Sequence, residues 1–390
     1  MENGGLLKKE VCKEINKIKP ELLAISHYLC DNPELAFQEF KAVQALTDSL
    51  RKAGFVVETG VCGIETAFIG SCGQGGPTIA FVAEYDALPE IGHACGHNII
   101  ASAALGAAIG LRKGMGVLGC GTIKVIGTPA EENGSGKIPM LEKGAFRGVD
   151  AAMLLHPNAA SMADDISYAT RRVEFTFRGK AAHAAVSPWE GTSALNGVVH
   201  MLHMVDSMRL HVKDFARIHG IITNGGVATN IIPETAQAVF SIRALAGDYL
   251  EELVAMVGRC AQGAALGTGT AVESRVLGPG CREVRNNKAL VKLLELNFSQ
   301  LGEPLAKRDF SQGIGATDMG NVTHEIPAVH ANIGLGEGLS LHTEEFAVQA
   351  ASAAGDKAIL TAAKVMAMTA LDLLLNPDVL AEMQKVRQDV

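Results

Sequence analysis

The sequence has no excess of positive charge: 34 lysines and arginines are outnumbered by 42 aspartates and glutamates, and the net charge is -8. This balance argues against nucleic acid as the main partner, although an anionic substrate stays open because local fields can oppose the net charge. No unbroken apolar run reaches membrane-spanning length, and the first twenty residues lack the apolar core of a secretory signal. We therefore expect a cytoplasmic protein with neither a nucleic-acid nor a membrane partner.

The sequence also lacks a paired cysteine framework, which argues against a disulfide-linked fold. Its eight cysteines are scattered, at Cys12, Cys30, Cys62, Cys72, Cys95, Cys120, Cys260 and Cys281. Most of them are expected to be small buried apolar residues with reduced thiols. Cys95 is the exception, because Cys95-Gly96-His97 provides two metal-ligand side chains on one tight turn.

There is no internal repeat, and 390 residues predict two domains rather than one core. Through residue 168, strand-like apolar runs alternate with helical patterns, which predicts an α/β domain on a mixed, largely parallel sheet. Residues 169–282 change to a β-α-β-β-α-β order, which predicts an inserted α+β module. The alternation resumes from residue 283, so we expect residues 1–168 and 283–390 to form one domain around the insertion.

The stretch from Glu84 to Asn98 reads EYDALPEIGHACGHN and lies between a predicted buried strand, Thr78 to Ala83, and a predicted helix of small apolar residues. Carboxylates, a thiol and imidazoles within this stretch are the ligand types that borderline divalent metals prefer. Taken alone, the CGH turn could equally be a glycine-rich turn with a buried thiol.

Four candidate residues follow or end predicted strands: Asp86, Glu131, Glu132 and His156. The carboxyl ends of parallel strands meet at one edge of a sheet, so these side chains are expected at the same edge. Each has a simpler explanation by itself: a turn residue, a solvated acidic pair, or a hydrogen-bonded core histidine. Their common placement favours a site where one of the adjacent glutamates binds metal, the other moves a proton, and Asp86 orients a ligand imidazole.

Further candidates lie outside these strand ends. His342 precedes a predicted helix, where helix capping is the simpler explanation. Asn230 and Arg243 could bind a substrate carboxylate, Arg243 by a two-pronged contact, although an outward ion pair is the simpler explanation for Arg243. His183 lies in a predicted loop of the inserted module, and spacing alone gives it no role.

Several motifs together resemble a family of dinuclear-metal amidohydrolases that includes aminoacylase, glutamate carboxypeptidase and hippurate hydrolase. EYDALPEIGHACGHN is the most specific, and GTPAEE, GKAAHAAVSPWEGTSAL, NIIPETAQAVFSIRA, GATDMGNVTHEIPAVH and LHTEEF follow in the family's order. The resemblance spans nearly the whole chain and is greatest to the branch of aminobenzoyl-glutamate hydrolase and β-alanyl-lysine dipeptidase. Many relatives have His-x-Asp where this chain has Glu84-Tyr85-Asp86, and the hippurate-hydrolase side often has aspartate at the position of Asn98. The division of ligands between two metals therefore stays open.

The resemblance implies two divalent metal ions held by five side chains: Cys95, His97, Glu132, His156 and His342. The ligand types leave zinc, which suits a thiolate, and manganese, which tolerates carboxylates, as the two candidates. It implies Glu131 as the general base, Asp86 as a partner of a ligand, and His183 as an oxyanion stabiliser that reaches the other subunit's site in a homodimer. Asn230 and Arg243 would help to hold the substrate's amide or carboxylate. Residues 169–282 would be a lid and dimerisation domain, and the flanking segments would be the catalytic domain.

The expected function is the metal-dependent hydrolysis of an amide bond in a small-molecule dipeptide or N-acyl amino acid, by a metal-activated water with Glu131 as the base. Two alternatives stay open here. One is a non-catalytic binding or regulatory protein on the same fold, and the other is a deacylase of N-acyl amino acids rather than a dipeptidase.

Overall fold

A computed structural model of the chain describes residues 2–118, 121–311 and 313–386. The strands within these residues are β1 Val56–Thr59, β2 Phe68–Gln74, β3 Thr78–Ala83, β4 Gly121–Gly127, β5 Ala151–Asn158, β6 Ala169–Arg178, β7 Arg217–Asn224, β8 Thr235–Ala244, β9 Ala271–Val276 and β10 Ala328–Gly334. The helices are α1 Glu2–Lys17, α2 Lys19–Asp31, α3 Phe40–Lys52, α4 His97–Leu118, α5 Glu131–Gly134, α6 Lys137–Glu142, α7 Ala194–Met208, α8 Gly247–Thr268, α9 Lys288–Gln300, α10 Met319–Glu325, α11 Glu344–Ala350, α12 Ala353–Leu375 and α13 Pro377–Val386. The described residues form two compact units: Met1–Ile166, Val284–Gly313 and Asp318–Val390 make the first, and Ser167–Glu283 and Ile314–Thr317 make the second.

The first unit is built on a six-stranded sheet in the order β1-β2-β4-β3-β5-β10. The four strands β4, β3, β5 and β10 pair in parallel, whereas β1 and β2 add antiparallel pairs at one side. The sheet is therefore mixed and largely parallel, as predicted. Because the parallel strands all end at one edge, the loops that follow them emerge there together. This edge carries the candidate site.

Helices α4 and α12 form the centre of the first unit's core and pack on each other and on α1. The small residues of α4 allow this close packing: a Cβ at Gly110 would lie 2.4 Å from Cγ1 of Ile15 in α1. Helix α12 is long and apolar enough to cross a membrane by length and composition, but 72% of its most apolar window is buried inside the protein. Its apolar character follows from its place in the core.

The second unit has the predicted element order β6-α7-β7-β8-α8-β9. Its four strands form an antiparallel sheet in the order β7-β8-β6-β9. Alternate residues of β8 are buried along its whole length, so that Phe240 and Ile242 join Val198 of α7 and Val257 of α8 in a separate apolar core. The alternation of buried and partly exposed residues along β8 thus reflects a sheet with helices on one face.

Two elements differ from what their local sequence pattern predicts. Apolar residues from Lys8 to Cys30 have helical spacing, which predicts one helix, but the structure has two helices, α1 and α2, which are separated at Ile18. Pro20 lies in the first turn of α2, where its missing N–H cannot continue the preceding helix but does suit the start of a new one. The glycines between Gly70 and Pro77 predict a turn, but most of this segment is strand, because β2 pairs with β4 as far as Gln74. Cross-strand pairing here outweighs the low strand propensity of glycine.

The seven cysteines that the structure describes are all unpaired, as predicted, and Cys120 lies outside the described residues. Cys95 is buried, whereas the other six are half-buried rather than fully buried.

Candidate metal centre

A tight turn presents Cys95 and His97 at the start of α4. Gly96 between them has φ +74°, and a Cβ at this position would lie 2.4 Å from Cγ of Pro157. Glycine has both the conformation and the size that this turn requires. The turn is therefore packed directly against the end of β5, where His156 precedes Pro157. Sγ of Cys95 lies 3.4 Å from Nε2 of His156.

Asp86 follows β3 and joins two candidate ligands. Nδ1 of His97 lies 2.8 Å from the main-chain oxygen of Asp86 and 3.0 Å from its Oδ1. The other carboxylate oxygen, Oδ2, accepts a hydrogen bond from the N–H of Glu132 at 3.0 Å. Burial alone would raise the pKa of Asp86, but His97 and the Glu132 amide outweigh it and lower that pKa to about 2. The charged Asp86 thus accepts a hydrogen bond from Nδ1 of His97, so that Nε2 of His97 faces the cluster.

His156 is oriented in a similar way. Its Nδ1 lies 2.8 Å from the main-chain oxygen of Pro157, so the proton is on Nδ1 and Nε2 faces Cys95. The ring of His330, from β10, lies against the His156 ring with centroids 5.6 Å apart. Burial lowers the pKa of both histidines, to about 3 for His330, which favours the neutral form of each ring. No role for His330 was predicted, because the pairing of β5 with β10 that brings it here leaves no local signal in the sequence.

Glu132 and His342 close the other side of the cluster. Oε1 of Glu132, in the single helical turn α5, lies 3.2 Å from Nε2 of His342. His342 has φ +63°, and its main-chain N–H donates to the oxygen of Ala94 at 3.0 Å. The hydrogen bond that His342 donates to the Glu132 carboxylate raises the pKa of His342. The main-chain hydrogen bond from His342 to Ala94 links the loop after β10 to the residue that precedes Cys95.

The candidates of the first unit form one continuous cluster. Three trios each have ligand atoms within 4.8 Å of one another: Cys95, His97 and His156; Cys95, Glu132 and His342; and His97, Glu131 and Glu132. The trios share members, so the donors surround adjoining positions rather than remote pockets. The structure thus brings together, across three strand ends and two loops, every site residue predicted for the catalytic domain.

The buried polar atoms of this cluster fit a divalent metal ion. Nε2 of His97 is buried and, among the described residues, has no hydrogen-bond partner; Oε2 of Glu84 and Oε1 of Glu132 lie 3.6 and 4.0 Å away. Burial raises the pKa of the Cys95 thiol well above its ordinary value, so a thiolate here requires a neighbouring cation. Thiolate, imidazole and carboxylate donors are the set that zinc and similar ions take.

A second group of acids lies beside the cluster, and the sequence did not connect its members. Oxygens of Glu84, Glu131 and Asp318 lie within 4.8 Å of one another. Burial, followed by the charges of Glu84 and Asp318, raises the pKa of Glu131 well above its ordinary value. The ammonium of Lys137 lies 2.6 Å from both Glu84 and Asp318. Asp318 lies in the motif GATDMGNVTHEIPAVH, but nothing in the sequence marks Lys137 as its partner.

The second unit holds the remaining predicted residues. Nδ1 of His183 accepts hydrogen bonds from two main-chain amides of its own loop at 3.2 Å each, so the proton of the neutral ring is on Nε2. Asn230 lies in a neighbouring segment, and its main-chain oxygen accepts from Ala184 at 2.9 Å. Arg243 lies in β8 opposite Thr170 of β6. The ion pair that was its simpler explanation is not found among the described residues, where Nε of Arg243 is buried without a hydrogen-bond partner.

Comparison with known sequences gives relatives over nearly the full length. The mouse Xaa-Arg dipeptidase is 36% identical over 396 residues, which cover 97% of this chain and 92% of the relative. A chain of the p-aminobenzoyl-glutamate hydrolase of Escherichia coli is 32% identical over 441 residues, which cover 94% of this chain and 92% of the relative. A dipeptidase and an aminobenzoyl-glutamate hydrolase are the two kinds of enzyme that the motifs resembled.

Solved structures share the fold. A dinuclear metal-binding peptidase of the M20 family from Bacillus subtilis superposes with a TM-score of 0.73 at 21% identity, covering 92% of this chain and 99% of that one. An aminobenzoyl-glutamate utilization protein from Klebsiella pneumoniae has a TM-score of 0.71 at 18% identity, covering 92% and 97%. The model of peptidase family M20/M25/M40 matches residues 80–372. The chain belongs to this family and is a metal-dependent amide hydrolase.

Proposed function

We propose that the protein is a dipeptidase in which Glu131 is the general base and five side chains hold two divalent metal ions. The observation that carries this proposal is the meeting of Cys95, Glu132 and His342, which are widely separated in sequence, within 4.8 Å of one another. A purely structural core is not expected to bring together a thiol, a carboxylate and an imidazole from the loops after three different strands. A non-catalytic binding protein of the same fold is not favoured, because the base and all five ligand candidates are present.

The proposed ligands are Cys95, His97, Glu132, His156 and His342, with Asp86 orienting His97 and bracing Glu132. Zinc suits the thiolate of Cys95, whereas manganese suits the carboxylates, so the native ion is proposed to be one of these two. When bound, the ions supply Lewis-acid chemistry, which polarises a carbonyl group and makes water more acidic.

Glu131 is proposed to carry the proton. It begins α5, separated from the end of β4 by three residues and next to Glu132; Ala130 before it has φ +59°, a left-handed conformation that turns the chain sharply at this point. The adjacent glutamates then face different groups: Glu132 contacts His342, and Glu131 faces Glu84 and Asp318. Glu131 would accept a proton from the attacking water and pass it to the leaving amine.

Three residues of the second unit are proposed to bind the substrate. His183 has its proton on Nε2 and could donate it to the oxyanion, a contribution of about 3 kcal/mol for one donor. Asn230 and Arg243 would hold the substrate's amide or carboxylate. We propose that residues 169–282 are the lid and dimerisation domain of a homodimer in which His183 serves the other subunit's site.

The substrate is proposed to be a small dipeptide with a basic C-terminal residue, since the mouse relative that covers 97% of this chain is an Xaa-Arg dipeptidase. An N-acyl amino acid is a second candidate, because the N-acetyl-L-cysteine deacetylase of Bacillus subtilis is 30% identical over 62% of this chain. We further propose a cytoplasmic protein without nucleic-acid or membrane partners. The net charge of -8 supports the first of these absences.

The base assignment is tested with Glu131→Gln and a matched control, Glu58→Gln, on the exposed strand β1. We expect Glu131→Gln to bind zinc or manganese as the unaltered protein does but to lose nearly all turnover on a panel of dipeptides and N-acyl amino acids. The control should retain both properties. Substantial turnover by Glu131→Gln would remove the base assignment. If the unaltered protein cleaves no member of the panel, the proposed dipeptidase function would be refuted.

The shared-site proposal is tested by mixing Glu131→Gln and His183→Ala subunits. Each variant alone should be nearly inactive, whereas mixed dimers should recover activity because one of their two sites combines an intact Glu131 with an intact His183. Sedimentation of the unaltered protein measures the dimer independently. Mixed dimers that form but stay inactive would contradict the sharing.

A further inference from the structure

Lys137 is completely buried, although lysine is among the residues least often found inside a protein. Its ammonium lies 2.6 Å from Oε1 of Glu84 and 2.6 Å from Oδ1 of Asp318. Its main-chain N–H donates to the other carboxylate oxygen of Asp318 at 2.9 Å. Asp318 therefore holds Lys137 by backbone and side chain together, which fixes the position of the ammonium.

The ammonium lies at a group of three acids, Glu84, Glu131 and Asp318, whose oxygens are within 4.8 Å of one another. Glu84 and Asp318 are completely buried, so water screens little of the repulsion between the carboxylates. Three converging carboxylates are the kind of oxygen-rich arrangement that binds hard divalent cations. Here the positive charge among them is supplied by the chain itself.

Glu84 also connects these acids to the metal centre. While its Oε1 contacts Lys137, its Oε2 lies 3.6 Å from Nε2 of His97. A single carboxylate thus separates the ammonium from a proposed metal ligand. A cation bound among the three acids would compete directly for Glu84 and Glu131.

We propose that Lys137 is a positioning residue that takes the place of a cation among Glu84, Glu131 and Asp318 and thereby confines divalent ions to the neighbouring ligands. The proposal rests on the proposed function for its neighbouring metal ligands, whereas only the expected effect on turnover depends on Glu131 as the base. With the lysine in place, Glu131 is not drawn into a cation site of its own and stays available to water. Lys137 acts through the acids and touches no substrate.

The test is the number of Mn²⁺ ions bound per chain, measured by equilibrium dialysis of metal-free protein that is reloaded with Mn²⁺. Lys137→Met removes the charge and keeps a side chain of similar length, and we expect it to bind one more Mn²⁺ per chain than the unaltered protein. Lys143→Met is the matched control: Lys143 caps the same helix and its Nζ bonds the main-chain oxygen of Cys62. The control should show the unaltered number. A folded Lys137→Met protein with the unaltered number would overturn the proposal.

The double variant Lys137→Met/Glu84→Gln removes one charge of each sign. We expect it to fold and to return to the unaltered Mn²⁺ number, because one donor carboxylate is gone. It also decides the case in which Lys137→Met alone does not fold. A folded double variant would then support a requirement for the lysine's charge, whereas an unfolded one would show a requirement for its shape and overturn the proposal.

Turnover is a separate measurement. In Lys137→Met we expect kcat to fall with little change in KM, because the added ion engages Glu131 rather than the substrate. The Mn²⁺ number does not depend on catalysis, so the two proposals fail separately. An active Glu131→Gln enzyme would remove the base assignment and leave the proposed role of Lys137 intact. An unchanged Mn²⁺ number in Lys137→Met would remove the proposed role of Lys137 and leave the base assignment intact.

Discussion

Replacing Gly96 by alanine probes how closely the CGH turn is fitted to β5. Two penalties add. A non-glycine residue at φ +74° costs about 1–2 kcal/mol, and a Cβ placed 2.4 Å from Cγ of Pro157 must displace either the turn or the strand, which costs about 1–3 kcal/mol. We expect Gly96→Ala to lower the free energy of unfolding of the metal-free protein by about 2–5 kcal/mol. The displaced turn should also separate Sγ of Cys95 from Nε2 of His156 and weaken metal binding.

The control for this change is Gly92→Ala, four residues earlier in the same loop. Gly92 also has positive φ, at +58°, but its Cβ would meet only Pro33, at 3.9 Å, which is ordinary contact. It should therefore cost about 1–2 kcal/mol from the backbone alone and leave metal binding intact. Urea unfolding gives the stability of each variant, and competition with a coloured chelator gives its affinity for zinc. Equal losses of stability in both variants, with unchanged zinc affinity, would refute the argument from the fitted turn.

Three further changes separate the parts of the site. Asp86→Asn should lower zinc affinity by about 10–100-fold, because it weakens the support of two proposed ligands; chelator competition measures this. Asn98→Ala should leave zinc affinity unchanged, although it adjoins a ligand, since its Nδ2 donates to Ser26 at 2.8 Å; urea unfolding should show a loss of about 1–3 kcal/mol. Glu39→Ala removes the acceptor of the Ala130 N–H at 2.9 Å and should lower the free energy of unfolding by about 1–3 kcal/mol. Turnover should fall as well, because Ala130 precedes Glu131. Glu39→Gln keeps an oxygen acceptor at this position and should restore both stability and turnover.

The parts of the fold that were predictable are those specified by neighbouring residues. The run Thr78 to Ala83 is an isolated apolar stretch of strand length, and β3 has these bounds. The β-α-β-β-α-β order was likewise predictable, because half-exposed strands alternate in a way that buried parallel strands do not. The strand ends then placed Asp86 and Glu131 at one edge of the sheet by topology alone.

The parts that were not predictable depend on long-range contacts. Lys137 begins a short helix, and a lysine there is expected to be exposed; its burial follows from Asp318, 181 residues further along the chain. His330 is brought to His156 by the pairing of two strands that are far apart in sequence. The length of β2 is set by its partner β4, against the preference of its own glycines. Local sequence carries no record of such partners.

The burial of Glu84, where many relatives have the histidine of His-x-Asp, and the burial of Lys137 are physically linked. A neutral histidine at position 84 would need no counter-ion, whereas a glutamate that is completely buried must have one. Lys137 provides that charge at 2.6 Å and is itself balanced by Asp318. Burial alone would raise the pKa of Glu84, but Lys137 and His97 outweigh it and keep that pKa below its ordinary value. A completely buried glutamate at position 84 therefore depends on the lysine at position 137 for its charge balance.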